Sequence, residues 1–327
     1  MHHATDRRGV LSLVAAGAAT MALGGCTGTT RTGLIADANA RSLGVQLYAL
    51  GEEVWADPAA AFARLARWGY ATIELPGEVP LPARDIRRLA GDAGLAIVSM
   101  HADFADAVSN PDKYVALAGE YGARDVVIPF PELGAGFAPV EGEDFRIALE
   151  RYLSAQPEGY WQRSAERLNI AGEALRKGGL RLGYHHHNME FAPLGTTSPW
   201  NILLERSDPA LVGFQIDTGW CVAGGRDPVE VLRSASGRVL SIHVKDVARS
   251  QAANFALGID PANVGTGQVD WERVLPAARD AGADHFFFEQ EPPFAGARME
   301  AAESAARYLS GVRAFPLGQV PSSLETR

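Results

Sequence analysis

Cysteine is nearly absent: Cys26 and Cys221 are the two in 327 residues. A disulfide framework is therefore excluded as the means of holding the fold together. Positive charge is also scarce, with 30 Lys and Arg against 39 Asp and Glu and a net balance of −9. Without a basic stripe the chain has no electrostatic track for a phosphate backbone, so nucleic acid is not an expected partner. No apolar run reaches the ~20 residues that a membrane-spanning helix needs. No Gly-rich dinucleotide fingerprint follows the first strand-like segment, which counts against an open, doubly wound sheet. What is present is a 47% hydrophobic chain, long enough to bury one large core. A single α/β barrel of typical size uses most of that length.

The first residues have the three parts of an export signal: Arg7-Arg8, an apolar stretch from Val10 to Leu23, and the small residues Gly24-Gly25 before Cys26. The twin arginines resemble a Tat signal. Leu23-Gly24-Gly25-Cys26 resembles a lipobox, in which Cys26 is acylated and becomes the new N-terminus. Residues 1–25 are thus expected to be a cleaved lipoprotein signal and residues 26–41, rich in Thr, Gly and Ala, a flexible tether. The folded body is expected over residues 42–315, with a tail at 316–327. The protein should sit in the periplasm or cell envelope, held to the membrane by its lipid alone. Cys221 is left as a free thiol, expected in the core.

From Leu43 onward short apolar runs recur, each followed by a segment with helical spacing of its apolar residues. The strand-like runs are Leu43 to Tyr48, Ala71 to Leu75, Leu95 to Met100, Asp125 to Ile128, Leu180 to His186, Val212 to Asp217, Val239 to Val244 and His285 to Glu289. Several intervening helices stop at a glycine, at Gly69, Gly94, Gly122, Gly178 and Gly282, as C-caps do. Strict alternation of this kind predicts a closed (β/α)8 TIM barrel. Two connections are longer than the rest, Glu132 to Gly159 and Ala248 to Gln268. Both are expected to overhang the barrel's C-terminal face.

In a barrel the chemistry lies at the C-terminal strand ends, and here those ends are rich in ligand-type residues. Neighbours along a strand point to opposite faces. In Phe214-Gln215-Ile216-Asp217 this sends Gln215 and Asp217 inward, and in Ile242-His243-Val244-Lys245 it sends His243 and Lys245 inward. The same rule sends Glu289 inward and favours His185 and His187 over His186. Glu74 and His101 end two further strands. Carboxylates gathered at one buried rim repel one another unless a cation neutralises them. A divalent metal such as Mn²⁺, Mg²⁺, Co²⁺ or Zn²⁺ suits a mixed carboxylate and imidazole set. Trp55, Trp161 and Trp220 are candidates for stacking on a sugar ring.

Together these segments resemble the xylose-isomerase-like sugar phosphate isomerase/epimerase superfamily of TIM barrels. The resemblance is carried by Gly183-Tyr184-His185-His186-His187-Asn188-Met189-Glu190-Phe191, Val212 to Asp217, Ile242 to Asp246, Val264 to Trp271 and Phe288 to Glu291, in that order. It implies one divalent metal held by Glu190, Asp217, His243 and Glu289, with Glu190 and Glu289 as the acid/base pair. It also implies a sugar or keto-sugar substrate contacted by Glu74, His101, His185, His187 and Lys245. Strand five departs from the family pattern, because His185 stands where the family's metal-binding Glu lies. The first ligand is therefore either Glu190 or His185. The implied reaction is proton abstraction beside a carbonyl through an enediolate, as in an isomerase or epimerase of carbohydrate metabolism. Loss of a β-hydroxyl, as in inosose dehydratases, or sugar binding without catalysis are the alternatives.

Overall fold

The computed structural model describes residues 42–134 and 136–313. The expected signal, the expected tether with Cys26, and the expected tail at 316–327 lie outside the described residues. The strands are β1 (Ser42–Gln46), β2 (Thr72–Leu75), β3 (Ala96–His101), β4 (Asp125–Ile128), β5 (Arg181–His185), β6 (Val212–Asp217), β7 (Val239–Val244), β8 (Asp246–Val247), β9 (Pro261–Ala262) and β10 (His285–Phe288). Eight of them form a closed barrel in the order β1-β10-β7-β6-β5-β4-β3-β2, with parallel neighbours throughout. The short antiparallel pair β8 and β9, which alternation alone did not anticipate, braces the connection after β7.

The strands form where β-branched and aromatic residues run together, and they are buried on both faces, as parallel strands covered by helices must be. Helix ends follow local chemistry. Asp57 and Asp103 cap the helices that follow them by accepting backbone N–H groups. Gly122 ends the helix Pro111–Tyr121 in the left-handed conformation. At the helix Glu158–Lys177 the expectation shifts by one residue, since Gly179 rather than Gly178 takes the positive φ.

The barrel interior is filled rather than hollow. A Cβ on Gly44 would lie 2.5 Å from the Phe287 ring, so the missing side chain on β1 is what lets that ring plug the interior. At the N-terminal face Arg181 binds the buried Asp125 through two hydrogen bonds of 2.6 and 2.7 Å and reaches Asp284 at 2.8 Å. That end carries structural pairs, which leaves the opposite end for chemistry. The two long connections do border that end. Phe145 and Arg146 from the first, and Leu257 and Ile259 from the second, line its cavity.

Candidate active site

A layer of buried polar side chains crosses the barrel just beneath its C-terminal rim. At its centre is Glu74, which accepts four hydrogen bonds: Gln46 Nε2 at 2.9 Å, Ser99 Oγ at 2.6 Å, Gln215 Nε2 at 2.8 Å and His243 Nε2 at 2.6 Å. His101 Nε2 lies 3.2 Å from the same carboxylate. Burial alone would push the Glu74 carboxyl up, but the imidazoles of His101 and His243 override it and hold the group well below the ordinary range.

This anion orients two imidazoles above it. His243 gives its Nε2–H to Glu74, which turns Nδ1 toward Asp217 Oδ2 at 3.5 Å and Glu289 Oε2 at 3.8 Å. Gln215 donates its amide to Glu74 and to Ser241, so its oxygen faces His185 Nδ1 at 3.0 Å. His185 therefore presents Nε2 as its free acceptor. Asp217 divides its duties. As the N-cap of the helix Thr218–Ala223, its Oδ1 accepts from Trp220 N at 2.8 Å. Its Oδ2, like Glu289 Oε2, is buried with the Lys245 ammonium as its nearest partner, and His243 Nδ1 is buried without a hydrogen-bond partner.

Two buried carboxylate oxygens and an imidazole nitrogen turned toward one point call for positive charge, which the Lys245 ammonium supplies in part and to which a divalent cation would add. Ligand atoms that share a metal at about 2.1 Å stand roughly 3–3.5 Å apart. The His243 to Asp217 separation of 3.5 Å fits that spacing, and one ligand atom each from His185, Asp217 and His243 falls within 4.8 Å of the others. Glu74, His101 and His243 form a second such grouping. There, however, the 2.6 Å contact between Glu74 and His243 is a direct hydrogen bond with no room for an ion between the atoms. The grouping with room for an ion is thus His185, Asp217 and His243, with Glu289 Oε2 3.8 Å from His243 Nδ1.

The ammonium of Lys245 lies against the same oxygens, 3.1 Å from Asp217 Oδ2, in contact with Glu289 Oε2 and 3.3 Å from Glu291 Oε1. Its stem can lie flat because position 219 is glycine: a Cβ there would come within 2.6 Å of Lys245 Cγ. Burial opposes the charge on Lys245, yet Asp217, Glu289 and Glu291 raise its pKa well above the usual lysine value. Burial also raises the Glu289 carboxyl to about 7, with Lys245 pulling down and Glu291 pushing up. His185 and His187 are held neutral by burial first and by neighbouring cationic groups next.

The expected site residues separate into three groups. His101, His185, His187, His243, Lys245 and Glu289 line one cavity of about 710 Å³, with Trp220 and Glu291, and Asp217 is fully buried behind His243 and Lys245. His187 stacks on Phe130 with ring centres 4.6 Å apart and packs beside Trp220 at 5.1 Å. Glu74, expected to touch substrate, lies beneath the cavity with both oxygens engaged. Glu190 is not brought to the cluster: its oxygens accept from Tyr184 Oη at 2.7 Å and from His187 N at 2.9 Å. The reason is local, because the strand ends at His185 and Glu190 falls in the 3₁₀ turn Met189–Phe191. Of the two strand-five candidates, His185 is the one that joins Asp217 and His243. His186 is a packing histidine between Phe191 and Trp200, with the buried Cys221 beside it. Trp161 is core. Sequence reasoning passed over Gln46 and Ser99, which follow the inward period of their strands, the available signal; Glu291, read there only as part of the polar end of the last strand, reaches Lys245 from beyond β10.

Residues 62–311 match the family described as Xylose isomerase-like TIM barrel. Among curated relatives, an inosose dehydratase of Lacticaseibacillus casei is 30% identical over 169 residues, 48% of this chain and 56% of that protein. The matched region thus spans little more than half the length of that relative. An inosose dehydratase of Geobacillus thermodenitrificans is 27% identical over 264 residues, 75% of this chain and 86% of the relative. A solved structure of a sugar phosphate isomerase/epimerase from Parabacteroides distasonis superposes with a TM-score of 0.69 at 23% identity, covering 84% of this chain and 98% of that one, a likeness of fold. The family match covers the strands that deliver Asp217, His243 and Glu289, and the chain belongs to the xylose isomerase-like TIM barrel family.

Proposed function

We propose that this protein is a metal-dependent enzyme that removes the proton beside the carbonyl of a keto-sugar or a cyclic polyol ketone. The observation that carries this reading is the convergence of buried Asp217 Oδ2 and Glu289 Oε2 on His243 Nδ1, at 3.5 and 3.8 Å, beside the Lys245 ammonium, where His243 and Glu289 line a cavity large enough for a sugar. His185, Asp217, His243 and Glu289 would hold a divalent cation, which when bound supplies the positive charge that polarises the carbonyl.

Glu289 is the base. Its carboxylate stands at the end of the eighth barrel strand, lines the cavity and faces the Lys245 ammonium, within reach of a carbon-bound proton of a ring seated there. Lys245 offers an ammonium beside it for the oxygen that becomes negative as the proton leaves. Phe130, His187 and Trp220 form an aromatic wall against which the hydrophobic face of a ring can rest.

The placement of Glu190 bears on the outcome. Glu190 lies away from the cavity, and Glu291 shares a strand end with Glu289, so the pair of opposed carboxylates used in two-base epimerisation is missing. With Glu289 as the single base, the proton it takes can be passed to a β-hydroxyl departing from the same face, which leaves as water. Dehydration is therefore our first reading, supported by the likeness to inosose dehydratases. Isomerisation or epimerisation by the same proton abstraction is the second. Export and acylation at Cys26 are part of the proposal and rest on the sequence signal. Globomycin-sensitive processing of the full chain tests them.

The test of function is incubation of the Mn²⁺-loaded protein with scyllo-inosose and 3-ketoglucose in D₂O, followed by NMR. Loss of water supports dehydration. Deuterium uptake with the carbon skeleton and hydroxyls intact supports isomerisation or epimerisation. Neither change, or equal rates in Glu289→Gln, overturns the proposal.

A further inference from the structure

Three histidines stand in a row where β5 ends, and each has a different duty. His185 closes the ladder opposite Gln215 and joins Asp217 and His243. His187 lies two residues beyond the ladder, so no strand neighbour fixes its backbone, yet it is only 6% exposed and lines the cavity. Among the described residues neither of its ring nitrogens has a hydrogen-bond partner. Nδ1 is sealed inside the protein, which leaves Nε2 to face the cavity. A neutral imidazole nitrogen so placed can exchange one hydrogen bond with a substrate hydroxyl.

Two buried side chains hold the His187 peptide. Glu190 Oε2 accepts from His187 N at 2.9 Å and Oε1 accepts from Tyr184 Oη at 2.7 Å, so one carboxyl ties the turn back to the strand before it. A glutamate reaching back three residues to a backbone N–H is the device of a capping box. On the other side, His186 Nε2 accepts from Asp217 N at 3.2 Å, which puts the ring proton on Nδ1, 3.2 Å from the carbonyl oxygen of His187. Held in this way, the His187 ring stacks on Phe130 at 4.6 Å with 11° between the planes, and Trp220 lies 5.1 Å away. Rotation of the peptide would carry the ring out of the stack. Glu190 itself is fully buried and forms no part of the cavity wall.

We propose that Glu190 is a positioning residue that acts through the His187 peptide: it keeps the His187 ring against Phe130 with Nε2 toward the substrate, and His187 binds a ring hydroxyl of the polyol ketone. The hydroxyl contact rests on the proposed reaction. The placement of the ring by Glu190 does not.

Glu190→Met keeps the volume and removes both acceptors, whereas the amide of Glu190→Gln can still accept from His187 N and donate to Tyr184 Oη. NMR of the histidine ring protons in the Mg²⁺-loaded full chain reads the stack directly, with His187→Ala assigning the signal. The His187 protons should lie upfield, over the Phe130 face, in wild type and Glu190→Gln, and should lose most of that shift in Glu190→Met. Kinetics of the Mn²⁺-loaded protein on scyllo-inosose read the consequence. KM should rise roughly tenfold in His187→Ala, the loss of one hydrogen bond, and about as far in Glu190→Met, with kcat falling less. The double variant should be no worse than His187→Ala alone, because the two residues act as a unit. A merely structural glutamate would lower the melting temperature without moving the ring, and its effect would add to that of His187→Ala. An unshifted ring in Glu190→Met, additive losses, or an unchanged KM in His187→Ala overturns the proposal. Should Glu190→Met not fold, His186→Phe removes the other hydrogen bond to the same peptide, and an unmoved ring there overturns the clamp. If wild type leaves scyllo-inosose unchanged, the reaction reading fails, and the ring signal alone decides whether Glu190 places His187.

Discussion

Glu74 Oε1 lies 2.6 Å from His243 Nε2, and through this contact a side chain under the site decides which nitrogen of His243 is offered to the cavity. A carboxylate that holds the far nitrogen of a metal-binding imidazole fixes its tautomer and raises its basicity. Glu74→Gln keeps the shape and removes the charge. Mn²⁺ affinity, measured by titration calorimetry, should weaken by roughly 10- to 100-fold. Unchanged affinity would show that the Glu74 carboxylate does not tune His243.

The two glutamates of the expected acid/base pair should respond differently. Glu289→Gln removes the base and should lower kcat by about 10²- to 10⁴-fold. Glu190→Gln should stay within about threefold, because the amide can accept from His187 N and donate to Tyr184 Oη with no change at the cavity. Comparable losses in the two variants would return Glu190 to the site.

Glu190 also predicts a pH dependence of stability. Burial is the main cause of its rise from 4.5 to about 7, with the Tyr184 and His187 hydrogen bonds working against it. Between those two values the folded state keeps a proton that the unfolded state has lost. Stability therefore falls as pH rises through this window and levels off above about 7, a loss of about 3 kcal/mol at most. Thermal melts of wild type and Glu190→Gln should converge near pH 4.5 and separate progressively up to pH 7, with the variant melting higher. Parallel curves would contradict the assignment.

Lys245 neutralises Asp217, Glu289 and Glu291 from within the site. Lys245→Met leaves buried carboxylates without a partner, at a cost of about 3–5 kcal/mol. In EDTA the variant should melt well below wild type, and Mn²⁺ should restore most of the difference, since a divalent cation replaces the missing charge. A deficit that Mn²⁺ leaves unchanged would argue against a cation site at these oxygens.

Asp246 holds the connection after β7 in place, accepting from Gly265 N, Gly267 N, Val269 N and Trp271 Nε1. That connection carries Leu257 and Ile259 to the cavity wall. Asp246→Ala should destabilise by about 2–3 kcal/mol, open residues 248–268 to limited proteolysis, and raise KM more than it lowers kcat. Unaltered proteolysis would mean that the β8–β9 pairing alone holds this segment.

The barrel was legible in the amino-acid order because its causes are local. Eight apolar runs separated by helical spacing leave few ways to bury their surface, and a period of two carried Asp217, His243 and Glu289 to the inner face. The same rule could not place Glu190, because it holds only while the chain is extended. After His185 the backbone turns, and the outward-facing Tyr184 captures the carboxylate. Nor could local pattern reveal the role of Glu74, whose partners lie 25 to 169 residues away in the chain. A hydrogen-bond network across five strands exists only once the barrel closes. The candidate ligand residues were thus written along the strands, and the placement of His185 rather than Glu190 beside Asp217 and His243 was made by where one strand ends and which neighbour waits there.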